Sequence, residues 1–123
     1  MNKLFLKSGA ILGLLAVAIG AFGAHALKES LVANNCLDTY ETAVSYQFYH
    51  ALALLFSGML SGQIQNKWIR FSGLSFLVGT IIFSGSLYLI CLTGIKTFGA
   101  VAPIGGTAFI AGWALMFWAF LKD

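Results

Sequence analysis

Charged side chains are scarce in this sequence, since Lys, Arg, Asp and Glu make up 9% of its 123 residues while 59% are hydrophobic. A soluble domain carries about 25% charged residues, which cover the surface that faces water. This composition therefore excludes an ordinary soluble domain and favours a protein whose surface faces lipid.

Cysteine and dense basic runs are also scarce. The two cysteines, Cys36 and Cys91, lie too far apart in sequence for the motifs that hold zinc or carry out redox chemistry. A disulfide between them is one alternative, but two small buried thiols are the interpretation that we favour from sequence. No basic run is dense enough to bind a phosphate backbone, so we expect no nucleic acid as a partner.

The few charges are spaced so that four long segments contain none. Residues 8–27 form a charge-free interval of twenty, and residues 42–66, 71–95 and 97–121 form three intervals of twenty-five each. An α-helix needs about 20 apolar residues to cross the hydrocarbon core of a bilayer. The apolar runs do not alternate as the strands of a membrane barrel do. The sequence therefore predicts an all-α membrane protein with four transmembrane helices in one domain, residues 1–123.

The expected helices are about 4–27, 39–62, 69–93 and 103–121, with a short surface helix before the second one that ends at Asn34-Asn35. Asp38 or Thr39 is the expected N-cap of the second helix. Pro103 fits the first turn of the fourth, where it costs no hydrogen bond. The basic start and apolar run of the first segment also look like a cleavable signal peptide. We expect this segment to be retained, because the run is long for a signal.

The distribution of basic residues predicts how the chain sits in the membrane. With four spans, both termini and the loop at 63–70 share one side, which holds five basic residues: Lys3, Lys7, Lys67, Arg70 and Lys122. The other side holds only Lys28 and Lys96. Because basic loops stay in the cytoplasm, we expect a multi-pass protein of the bacterial inner membrane with both termini inside.

Small residues form stripes along the predicted helices. They include candidate packing glycines on the first helix, the third and the fourth: Gly9, Gly13, Gly20, Gly23, Gly79, Gly105 and Gly106. In lipid, such stripes let helices approach closely, which is the usual source of helix association there. The stripes therefore predict tight packing of a small bundle, with a pore lined by small polar groups as the alternative.

The second predicted helix carries unusual polarity for a membrane span. His50 lies well below its outer end, and Tyr46 and Gln47 precede it by four and three residues, close enough to bond the imidazole ring. A histidine at that depth should face protein rather than lipid. Glu41 in the first turn and His25 on the preceding helix complete a candidate buried polar cluster, although His25 is alternatively an interfacial residue.

Four motifs, GAFGAHAL (20–27), YQFYH (46–50), FSGSLY (83–88) and PIGGTAFIAGWALM (103–116), occur along the chain. With them the sequence resembles the small membrane family called domain of unknown function 423, which is related to transmembrane protein 256. The resemblance implies a bacterial inner-membrane protein of four helices. It implies no activity, substrate, cofactor or catalytic residue.

Three functions from different classes remain open at this stage. The favoured one is a non-enzymatic structural, accessory or assembly protein that packs against copies of itself or another membrane protein. The alternative is an oligomeric permeation or transport protein lined by the small polar faces of the second and third helices. A haem or metal protein with His25 and His50 as ligands is less favoured. No motif of an enzyme is present, so we expect no catalytic residue, metal or cofactor.

Overall fold

A computed structural model of the chain describes residues 1–64 and 66–123, and this part of the chain is helical with no strand. The elements in order are α1 (Lys3–Ala24), α2 (Lys28–Ala33), α3 (Leu37–Leu60), α4 (Lys67–Thr93), a short 3-10 helix (Lys96–Ala100) and α5 (Ala102–Lys122). The helical class predicted from sequence is thus confirmed. The observed ends lie within about three residues of the expected ones.

Local sequence signals explain where most of these helices begin and end. Asn2 and Asn66 cap α1 and α4 by accepting hydrogen bonds from the backbone N–H groups of Phe5 and Trp68. Helix α4 ends at Gly94, whose φ of +73° suits a residue without a side chain.

The beginning of α3 differs from the sequence prediction. Cys36, and neither Asp38 nor Thr39, is its N-cap residue, and Asp38 lies in the first turn. Helix α2 ends at Asn34-Asn35, as expected, with Asn35 in the left-handed region at a φ of 54°. Pro103 lies in the first turn of α5, where its missing N–H costs no helical bond.

The four long helices run alternately up and down, with α3 and α4 packed together at the centre. Helix α1 packs mainly on α3, and α5 packs mainly on α4. Both termini meet the α3–α4 loop at one end, since the N–H of Asn2 donates to the Gly58 carbonyl and the side chain of Asn66 donates to the Ala119 carbonyl. The five basic residues singled out in the sequence therefore share this end.

Three helical segments are long and apolar enough to cross a membrane: Lys3–Ala24, Lys67–Thr93 and Lys96–Lys122. Helix α3 has 24 residues, which is sufficient length, but it is not among the three segments because its first half is more polar. Large apolar side chains cover the outside of the molecule, among them Leu14, Ile81 and Ile110, each more than 60% exposed. A surface of this kind is suited to lipid and not to water.

Glycines mark the closest approaches between helices. A Cβ on Gly9 would lie 2.9 Å from the Ala51 carbonyl, and one on Gly23 would overlap the Tyr40 ring. On the other side of the molecule, Gly79 and Gly105 pack directly against α5 and α4. The remaining predicted positions are less tight: a Cβ would lie 3.1 Å from the nearest atom at Gly20 and 3.9 Å at both Gly13 and Gly106.

The two cysteines are joined, and the prediction of two free thiols is wrong. Cys36 and Cys91 form a disulfide with their Cα atoms 5.7 Å apart. The antiparallel packing of α3 and α4 brings the first residue before α3 next to the last turn of α4. Sequence spacing alone could not show this, because the cysteines are 55 residues apart.

Candidate functional site

His50 lies in the middle of α3 and is 4% exposed. Its ring is stacked on Phe109 of α5, with centroids 3.6 Å apart and planes within 9°. The Nδ1 atom is 2.8 Å from the Tyr46 carbonyl, and the indole Nε1–H of Trp113 donates to Nε2 over 3.1 Å. Residues from α3 and α5 thus surround the imidazole.

These partners define the form of the imidazole. The indole nitrogen of Trp113 is a donor only, so Nε2 of His50 must be an acceptor without a proton. The proton is then on Nδ1, where it can be donated to the Tyr46 carbonyl. His50 is therefore neutral with both nitrogens engaged, and it has no free lone pair for a metal or for proton transfer.

Gln47 forms the second part of the site and links three helices. Its amide nitrogen donates to the Leu12 carbonyl of α1 over 2.9 Å, and its amide oxygen accepts from the Tyr88 hydroxyl of α4 over 2.6 Å. Close by, the Tyr40 hydroxyl donates to the Ile19 carbonyl of α1 over 2.6 Å. The ring of Tyr40 also packs edge-on against that of Tyr88. The polar end of α3 is thus tied to both of its neighbours.

Three other members of the predicted cluster lie elsewhere. Tyr46 is 40% exposed and packs against Phe83 and Phe109, so its hydroxyl does not bond the His50 ring. Glu41 is exposed on α3, and His25 is exposed at the C-cap of α1. The structure therefore brings Gln47 and His50 into the interior of the bundle and leaves the two charged or titratable end residues outside it.

Small hydroxyl side chains fill the contacts between the central helices. Ser84 donates to the Ala43 carbonyl over 2.7 Å, and Ser72 donates to the Gly112 carbonyl over 2.6 Å, each bond joining two helices. Ser57 and Thr80 donate to carbonyls of their own helices, four residues back. These four hydroxyls are buried, so this part of the small polar faces of α3 and α4 points into protein.

The buried polar side chains are all hydrogen-bonded in the part of the chain that the structure describes. Among the described residues, no buried side-chain nitrogen or oxygen lacks a hydrogen-bond partner. The same part of the chain contains no group of three His, Cys, Asp or Glu side chains that could hold a metal ion. The arrangement is suited to holding helices together, since in lipid an unpaired polar group costs several kcal/mol.

The residues that complete the site lie outside α3 and were not predicted from the sequence. Trp113 and Phe109 lie in an apolar stretch of α5, and Tyr88 lies in an apolar stretch of α4. One signal could have found Trp113 and Tyr88: an indole N–H or a phenol O–H deep in a membrane span requires an acceptor. Phe109 gives no such signal, because its stacking depends on how the helices pack.

Comparison with known proteins agrees with the resemblance seen in the motifs. The family model described as protein of unknown function (DUF423) matches residues 19–106. A UPF0382 membrane protein of Staphylococcus aureus is 43% identical over 120 residues, which cover 98% of this chain and 97% of the relative. The UPF0382 membrane protein YwdK of Bacillus subtilis is 40% identical, with 98% of both chains covered.

A further relative is the UPF0382 inner membrane protein YgdD of Escherichia coli, which is 37% identical over 94% of this chain and 87% of its own. No solved structure gives a significant match. The helical fold, the apolar surface and these relatives lead to one conclusion: the chain is a membrane protein that belongs to the DUF423 family.

Proposed function

We propose that this protein is a non-enzymatic assembly or accessory protein of the bacterial inner membrane that acts by packing against another membrane-embedded helix. In this proposal α1, α3, α4 and α5 all cross the bilayer, with both termini in the cytoplasm. The observation that carries it concerns the buried polar side chains of α3, Gln47 and His50. They are hydrogen-bonded to neighbouring helices of the same molecule, so a partner would have to contact the outer, lipid-facing surface.

The proposal that α3 is a fourth span rests on its packing. Helix α3 has neighbours α1 and α4 along its length, and both are long and apolar enough to cross a membrane. Its two deeply placed polar side chains, Gln47 and His50, are 3% and 4% exposed. Polar groups inside a span are tolerated when they face protein and are satisfied there. The lower hydropathy of α3 therefore does not prevent it from crossing.

The surface that we assign to packing is the groove between α1 and α3. It is apolar, and small residues provide half of its lining: Gly9, Ala10, Gly13, Ala18 and Ala51. Larger side chains, among them Leu14, Val17 and Phe48, complete the lining. Small residues at such a site allow close backbone approach, from which helices in lipid gain most of their contact energy. We therefore place a second copy or another membrane protein here.

Permeation through an oligomer is less well supported by the same geometry. A pore would need polar side chains facing the path of the solute. The buried hydroxyls of Ser57, Ser72, Thr80 and Ser84 instead donate to backbone carbonyls within the bundle. The groove between α1 and α3 is apolar, so it offers no polar path either.

The test is photocrosslinking in native membranes with a photoreactive amino acid at Leu14, which lies on the groove and is 63% exposed. Ile110 on α5, 72% exposed and away from the groove, is the matched control. We expect a discrete protein adduct from position 14 and lipid adducts alone from position 110. Lipid adducts alone from both positions would contradict the proposal.

A further inference from the structure

The Cys36–Cys91 disulfide lies at the end of the molecule opposite the two termini. It joins the residue that precedes α3 to the last turn of α4. It also lines a cavity of about 590 Å³, together with Asn34, Thr39 and Lys96. Polar residues provide much of this lining, so we expect water and a dissolved thiol to enter the cavity and reach the disulfide.

The two sulfur-bearing residues differ in exposure. Cys36 is 6% exposed and counts as buried, whereas Cys91 is partly exposed. Cys91 also lines a second, more apolar cavity of about 340 Å³ beside Tyr40 and Tyr88. An incoming thiol therefore has better access to Cys91 than to Cys36.

The two residues also differ in their surroundings once the disulfide opens. Cys36 is the N-cap residue of the 24-residue helix α3, so it lies at the positive end of that helix, although its side chain makes no capping hydrogen bond. Lys96 lines the same cavity and adds a positive charge. Asp38, in the first turn of α3, is the nearest acidic residue in sequence and does not line the cavity. A thiolate on Cys36 is thus favoured, and such a sulfur is the better leaving group.

We infer that Cys36–Cys91 is an exchange centre for dithiols in the aqueous compartment at this end of the protein, with Cys91 as the sulfur that is attacked. A thiolate of the dithiol attacks Sγ of Cys91, the disulfide breaks, and Cys36 leaves as a thiolate. The second thiol of the dithiol then attacks the dithiol sulfur that is bonded to Cys91, and Cys91 leaves as a thiolate. Two electrons and two protons pass from the dithiol to the cysteine pair, and the substrate leaves as a disulfide.

The greater exposure of Cys91 and the position of Cys36 as the better leaving group both favour attack at Sγ of Cys91. If the disulfide served only as a staple, nothing would require the more accessible sulfur to lie opposite the better leaving group. The inference does not depend on the proposed packing function, because its site is at the end of the bundle and the packing groove is on its side.

The first experiment uses the folded wild-type protein in detergent micelles and reduced glutathione as the probe. The reaction is stopped with acid, and the site of the glutathione adduct is mapped by mass spectrometry. We expect adducts on Cys91 to exceed those on Cys36 by about tenfold, because the better leaving thiolate departs faster. Excess adduct on Cys36 would overturn the inference. So would a disulfide that survives in the folded protein and is reduced only after unfolding.

A second measurement tests the route through the polar cavity. Glutathione carries a net negative charge and dithiothreitol is neutral. Comparing the two reagents therefore separates the effect of the reagent's charge from the access of a thiol to the disulfide. We expect Lys96→Gln to slow reduction by glutathione about twofold to fivefold, the range of a surface charge interaction, and to slow reduction by dithiothreitol less, because only the effect on the leaving thiolate of Cys36 is then lost. Equal rates for wild type and variant with both reagents would argue against the cavity as the route.

Discussion

The indole N–H of Trp113 donates to Nε2 of His50 over 3.1 Å and so joins α5 to α3. Helix α5 packs mainly on α4, and it meets α3 through side chains rather than by close approach of the two backbones. This hydrogen bond therefore links α5 directly to α3. On the other side of α3, the hydrogen bond from Gln47 to the Leu12 carbonyl links α3 to α1. In this account the polar residues of α3 hold four helices in one arrangement.

Trp113→Phe should weaken the fold by removing the donor to His50. We expect a loss of about 0.6–1.7 kcal/mol in unfolding free energy, the range measured for hydrogen bonds between membrane helices. Unfolding is followed by circular dichroism during a titration of mixed micelles with sodium dodecyl sulfate.

The matched control is Trp118→Phe, which changes an exposed tryptophan of the same helix. In a His50→Leu background the added cost of Trp113→Phe should largely disappear, because the acceptor is already gone. An undiminished cost in that background would show that the loss comes from packing alone.

Gln47→Leu should cost more than the loss of any single bond in the site. The change removes a donor to the Leu12 carbonyl and leaves the Tyr88 hydroxyl without its acceptor. We expect a loss of about 1–3 kcal/mol, as for a buried polar group left unpaired. The measurement is the same micelle titration.

Tyr88→Phe alone should cost less, and the double variant should cost less than the sum of the two single ones. Tyr49→Phe is the control, since Tyr49 is 56% exposed on α3. Additive effects of Gln47→Leu and Tyr88→Phe would refute the bond between these side chains.

Two adjacent glycines of α5 provide a sensitive test of helix packing. A Cβ on Gly105 would overlap the backbone of Phe83, whereas one on Gly106 would be 3.9 Å from the nearest atom. Gly105→Ala should therefore destabilise the protein by about 1–3 kcal/mol, as overpacking does.

Gly106→Ala should be neutral or should stabilise the protein by up to about 1 kcal/mol, since alanine favours helix. Both are measured by the same micelle titration. Equal effects of the two changes would contradict the close contact of α5 with α4.

The proposed orientation predicts which single cysteines can be labelled in intact cells. In a variant without Cys36 and Cys91, Asn34→Cys should react with a membrane-impermeant maleimide added outside. Gln63→Cys, on the exposed loop before α4, should react only after the cells are permeabilised. Labelling of position 63 in intact cells would exclude cytoplasmic termini.

Much of the fold follows from the sequence because its signals are local. The spacing of charges placed the helices, and the asparagine pair at 34–35 and Pro103 placed two of their ends. Cys36 was not foreseen as the N-cap, since a cysteine is a poor capping residue and its position depends on the disulfide to α4.

The site was harder to predict from the sequence than the fold, because its geometry depends on packing between distant segments. The helical period put Tyr46 and His50 on one face of α3, but it could not tell that Gln47 turns toward α1 and α4 while His50 turns toward α5. Nor could it tell that Tyr46 supplies its carbonyl and not its hydroxyl.

Nitrogen-15 NMR of His50 in lipid bilayers tests the central claim most directly, since that claim holds that neighbouring helices use both nitrogens of the ring. We predict a neutral imidazole with the proton on Nδ1 and a hydrogen-bonded Nε2 whose shift changes in Trp113→Phe. A charged ring, a proton on Nε2 or no response to Trp113→Phe would contradict it.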